Sequence, residues 1–233
     1  MWLHDFYQQN GQQFSFTREQ ASRFAKQVAD DFNPIHDVDA KRFCVPGDLL
    51  FALSLSRAGI RQEMDFSFAD MVTDGVPLHF AGEGDSLRLV DESDKTFMSL
   101  AASGAANTDA ALVEQLTRAY VAFSGHTFPH ILVPLWREQN VMINPARPMV
   151  IYQSMHLSFN TLALESLSLD AAGASMTVDG KRGQVVVRFA FKDGDKVVGK
   201  GEKKLVLSGL REFDEDAVAG VVEYYDERKA RLK

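Results

Sequence analysis

The chain has one cysteine, Cys44, in 233 residues, so no disulfide can form within it. That scarcity fits a reducing compartment. No apolar run approaches the roughly 20 residues that a helix needs to cross a bilayer. The opening residues, Met1 to Phe6, lack the basic-then-apolar layout of a signal peptide. A soluble cytoplasmic protein without membrane contact is therefore expected. An excess of positive charge is also missing. Lys and Arg number 25 against 32 Asp and Glu, a net charge of −7, which argues against nucleic acid as a partner. Metal ligation lacks material too. His126 and His130 are four residues apart, but Pro129 lies between them and no third ligand is near. Gly82-Glu83-Gly84 has no strand-to-helix context, so it reads as a turn and not as a phosphate loop.

What is present suits a large core, with 45% hydrophobic and 24% charged residues. Thr17-Arg18-Glu19-Gln20 reads as a capping box, and Ala21, Phe24, Ala25, Val28 and Ala29 recur at helical spacing behind it. These predict a helix over 18–31, stopped by Pro34. The stretch from Gly47 to Gly59 is apolar on nearly every face, which requires a helix buried all round. Strands follow near 64–68, 71–80, 85–91 and 95–103, which suggests a sheet wrapped around that helix. A second helix is expected from Asn107 to about 122. Strands are then expected near 149–160, 164–169, 173–179, 184–192 and 196–208, and a helix over 214–231.

The halves can be laid over each other. Thr17 to Asp31 and Thr108 to Ala122 span equal lengths, Phe32 then matches Phe123, and Val45-Pro46 matches Val133-Pro134. The implied division is a first unit over 1–106, a second over 107–210 and a terminal helix over 211–233. Ala122 stands where the first unit has Asp31, so the second unit is expected to be non-catalytic.

The most specific stretch is Asp31-Phe32-Asn33-Pro34-Ile35-His36. A carboxylate at a helix end and an imidazole beyond an Asn-Pro turn can converge on one water for acid–base work. Taken alone, the spacing is far more often that of a helix-end Asp and a loop His. Cys44, close by, reads as a buried, inert thiol.

Together with Phe16 to Gln20, Phe24-Ala25 and Val45-Pro46-Gly47 before the apolar helix, the stretch resembles the motif of the MaoC-like (R)-specific enoyl-CoA hydratases. The resemblance covers residues 16–53. It implies an α+β double hotdog, two curled antiparallel sheets each around a central helix. It also implies hydration or dehydration of a 2-enoyl or 3-hydroxyacyl thioester on coenzyme A or acyl carrier protein, with no separate cofactor. Asp31 and His36 would hold the catalytic water, and the Gly47 N–H would face the thioester carbonyl. Asn33, Pro34, Val45, Pro46 and Asp48 would shape the substrate site. Three features depart from that pattern: the short 37–46 segment, Asp48 after the glycine, and Asp30, whose charge is expected to raise the pKa of itself or its neighbour. A hotdog acyl-CoA thioesterase and a non-catalytic acyl-CoA binding protein stay open, as do monomer and homodimer.

Overall fold

In the computed structural model, which describes residues 2–233, the apolar stretch forms helix α2 (Gly47–Ala58). Every residue from Asp48 to Leu55 is buried, as a helix apolar on all faces demands. It follows the hairpin β1 (Gln8–Asn10) and β2 (Gln13–Ser15) and the helix α1 (Arg18–Gln27). Strands β3 (Ile60–Phe68), β4 (Leu78–Ala81), β5 (Ser86–Asp91) and β6 (Thr96–Asn107) complete the first half. The second half contains α3 (Ala110–Gly125), α4 (Leu132–Glu138), β7 (Val141–Met142), β8 (Val150–Phe159) and β9 (Ser168–Asp179). It ends with β10 (Arg182–Asp193), β11 (Lys196–Ser208), β12 (Arg211–Glu212) and α5 (Glu215–Leu232).

Ten strands form one antiparallel sheet in the order β1-β2-β4-β5-β6-β3-β8-β11-β10-β9, and β7 pairs with β12 separately. The halves join where β3 meets β8, in register from Glu63 opposite Ser158 to Ser67 opposite Ser154. From that seam the order β3-β6-β5-β4 on one side repeats as β8-β11-β10-β9 on the other. The architecture is an α+β double hotdog. Val185, Val187, Phe189 and Phe191 alternate inward along β10, the period of a half-buried strand. One apolar core surrounds α2 and α3. A second, around Trp136 of α4, takes Val185 and Val187 of β10 and Leu205 and Leu207 of β11, while Phe189 and Phe191 belong to the first.

Several sequence expectations change. The first helix stops at Gln27 and does not reach Asp31, because Asp30 is left-handed (φ 53°) and the Asp31 N–H turns back to the Ala25 carbonyl at 2.8 Å. Most of 71–80 is loop, tied down by Val45 N–H to Val72 O (2.8 Å) and Gly75 N–H to Phe16 O (2.9 Å). No separate strand forms over 164–169; β9 starts at Ser168. The helical part of the repeat also diverges. α3 continues through Ala122 to Gly125, so the second half has no turn where Asp31 lies.

Candidate functional site

The turn after α1 is built from side chains that satisfy its own backbone. Asp31 Oδ1 accepts from Asn33 N–H at 2.8 Å, and Asn33 Oδ1 accepts from Ile35 N–H at 3.2 Å. That second bond caps a short 3-10 helix, Pro34–His36, with the proline at a position where its missing N–H costs nothing. Asn33 and Pro34 are themselves exposed. The turn brings His36 Nε2 to 3.7 Å from Asp31 Oδ2.

His36 is buried, and its Nδ1 donates to the Cys44 carbonyl at 2.7 Å. A carbonyl only accepts, so this bond places the neutral ring's proton on Nδ1 and leaves a lone pair on Nε2. The Nε2 to carboxylate distance is too long for a direct hydrogen bond and too short to admit a water between the two atoms, but both can contact one water lying to their side. Cys44 also donates its thiol to Val45 O at 3.2 Å, and burial followed by the charge of Asp70 pushes its pKa up to about 12.

Val45 and Pro46 are buried and lead into α2, whose first turn has no side-chain cap. The Gly47 backbone is packed closely: a Cβ there would lie 3.1 Å from the Tyr152 ring and 3.4 Å from Phe68. Asp48 does not serve the helix N-terminus. Its Oδ2 accepts from the Ser124 hydroxyl of α3 at 2.6 Å, and Ser124 accepts from Lys203 Nζ of β11 at 2.5 Å. Asp48 Oδ1 is buried with no hydrogen-bond partner. Burial raises the Asp48 pKa against the pull of Lys203 and Ser124, and the charges of Asp31 and His36 also act on it. Asp31, His36 and Asp48 therefore share one electrostatic neighbourhood.

Sequence reasoning missed Ser124, Lys203, Tyr120 and Tyr152. The Tyr120 and Tyr152 hydroxyls contact each other beside this chain, and Lys203 Nζ lies 4.4 Å from the Tyr152 ring centre. Burial, with the charge of Asp48, holds the Tyr120 phenol far above its ordinary pKa. A signal for Lys203 did exist. Gly201, Leu205 and Leu207 face inward along β11, and the lysine occupies the same row.

The expected upward push at Asp30 is absent. Burial opposes its ionisation, but hydrogen bonds from Lys229, Lys233 and His126 outweigh it and hold the carboxyl below its ordinary pKa. Lys26 pairs with Asp37 at 2.8 Å. Among the described residues, no cluster of three potential metal ligands is found and no helix is long and apolar enough to cross a membrane.

The family described as "Protein of unknown function (DUF3581)" matches residues 1–216. No curated protein matches the chain. Among solved structures, it is similar to a conserved protein of unknown function with hot dog fold from Alicyclobacillus acidocaldarius, at 9% identity over 89% of this chain and 98% of that one, TM-score 0.48. A MaoC-like dehydratase matches at 11% identity over 86% and 97%, TM-score 0.44. An acyl-CoA thioesterase II, TesB2, from Mycobacterium marinum matches at 11% over 92% and 99%, TM-score 0.42. No chemistry is transferred at such distances.

Proposed function

We propose that this chain, which belongs to the DUF3581 family, is a hydratase or dehydratase acting on a 2-enoyl or 3-hydroxyacyl thioester carried by coenzyme A or acyl carrier protein. The observation that supports this reading is the 3.7 Å gap between His36 Nε2 and Asp31 Oδ2, with the imidazole oriented by the Cys44 carbonyl. In the hydration direction a water held beside the pair, in contact with both groups, gives its proton to the Asp31 carboxylate while its oxygen bonds to the β-carbon. The electron pair of the C=C bond moves toward the thioester carbonyl. The uncapped first turn of α2, starting at Gly47, offers backbone N–H groups to that developing charge. His36 positions the water and assists return of a proton to the α-carbon, so the pair acts as a unit.

The test is loss of enoyl absorbance with crotonyl-CoA and longer enoyl-CoA substrates. Asp31→Asn and His36→Gln should each lower kcat by about 10²-fold or more. Unchanged turnover in both variants would refute the roles.

A second reading, thioester hydrolysis, is favoured by one feature. The unpartnered Oδ1 of Asp48 is a further buried carboxylate oxygen, and the charges of Asp31 and His36 act on that carboxyl. Free-thiol release from saturated acyl-CoA, with no change in the enoyl absorbance of unsaturated substrates, would select it over hydration.

A further inference from the structure

The segment that carries Asp31 and His36 has little regular structure of its own. Between the end of α1 at Gln27 and the start of α2 at Gly47 lies only the single 3-10 turn. A segment of this kind opens locally unless something outside it supplies contacts. Around Asp31 and His36, several of these contacts come from α5, most of which lies beyond the residues matched to the family.

The central one is Tyr225. Its hydroxyl accepts from the Phe32 N–H at 3.3 Å and donates to the Asp30 carbonyl at 3.4 Å, bridging the backbone on both sides of Asp31. Its ring stands edge-on to Phe32, with centroids 6.3 Å apart and an interplanar angle of 88°, and edge-on to Phe128 at 5.1 Å. Phe32 is fully buried and Tyr225 is 6% exposed, so water is a poor substitute for that hydroxyl. One turn further along α5, Arg228 pairs with the buried Asp37 just after His36, and Lys229 and Lys233 both reach the Asp30 carboxylate. α5 thus grips the segment before Asp31, after Asp31 and after His36.

We propose that Tyr225 is a positioning residue for the Asp31–His36 pair, with α5 acting as the brace that sets their separation. This inference rests on the hydratase reading for its kinetic consequence but not for its structural one. Tyr225 touches the backbone around Asp31 and not the reacting atoms. A displacement on the scale of an ångström at a catalytic group is enough to cost large factors in rate.

The test is Tyr225→Phe, which keeps the ring against Phe32 and Phe128 and removes only the hydroxyl. Hydrogen–deuterium exchange of the amides from Asp31 to Asp37 should speed up by about tenfold or more while thermal unfolding stays nearly unchanged. In the enoyl-CoA assay kcat should fall by about tenfold with KM within about twofold, the split expected when orientation is lost and binding is not. Glu215→Gln is the control. It breaks the pairing of Glu215 with Arg137 at the other end of α5, and should leave both readings as in the parent. Unchanged exchange in Tyr225→Phe overturns the proposal, and so does faster exchange with unaltered kcat. If the parent chain turns over no enoyl thioester, the hydratase reading falls, and the exchange experiment alone decides whether Tyr225 braces the turn.

Discussion

Lys203 and Asp48 lie on either side of the Ser124 hydroxyl, which accepts from the lysine and donates to the carboxylate. One charge comes from the second half's sheet and the other from the first half's central helix, with α3 between them. The polar link across the interior therefore depends on both halves of the chain. Lys203 is 5% and Asp48 is 8% exposed, so each charge needs the other.

Lys203→Met should accordingly destabilise the fold by about 3–5 kcal/mol, because it leaves a buried carboxylate uncompensated. Asp48→Asn combined with Lys203→Met should recover much of that loss, since no charge is then buried alone. Urea unfolding of the two single variants and the double variant closes the cycle. Additive losses would show that the charges are not coupled.

Gly125, the last residue of α3, presses against the turn that carries Asp31. A Cβ at this position would lie 1.7 Å from the Ala29 carbonyl oxygen, which is backbone and cannot swing away. Gly125→Ala should cost at least about 2 kcal/mol by overpacking. Gly220 in α5 has nothing within 4 Å of its missing Cβ. Gly220→Ala should instead gain about 0.5–1 kcal/mol from helix propensity. Thermal unfolding should move in opposite directions for the two.

Cys44 should be chemically quiet in the folded protein. Burial pushes its pKa up to about 12, so almost no thiolate exists at neutral pH. A disulfide exchange reagent at pH 8 should react slowly with the native chain and at once after denaturation. Rapid labelling of native protein would show that the segment before α2 opens readily.

Asp30 gives a defined acid sensitivity. Its pKa lies below the unfolded value, so it stabilises the fold above about pH 4. That contribution is lost as pH falls further, through the folded-state value. The stability gap between the parent and Asp30→Asn should thus be widest near neutrality and should close between about pH 4 and the folded-state value. Urea denaturation across that range checks it. A gap that widens toward acid would contradict the ion-pair account.

Periodicity made much of this chain legible. The capping box at Thr17 is present with both of its hydrogen bonds, the apolar run from Leu49 to Leu55 is buried throughout, and the long strands β8, β10 and β11 fall where alternation put them. The misses lie where local pattern competes with distant partners. Residues 71–80 have strand-like composition, yet Val72 and Gly75 bond to Val45 and Phe16 and the segment remains loop. Asp48 stands in the first turn of α2, yet a hydroxyl 76 positions away claims its carboxylate.

Residue order alone determined the hotdog elements and the close spacing of Asp31 and His36, because helix caps, apolar periods and an Asn-Pro turn act over a few residues. Tertiary structure decided which charges meet. Tyr225, Arg228 and Lys229 reach the turn from the far end of the chain, and Lys203 is linked to Asp48 through the Ser124 hydroxyl, across the two halves. Such pairings are set by how the sheet and helices close on one another. A buried charge selects its partner by proximity in space, and distance along the chain does not encode that.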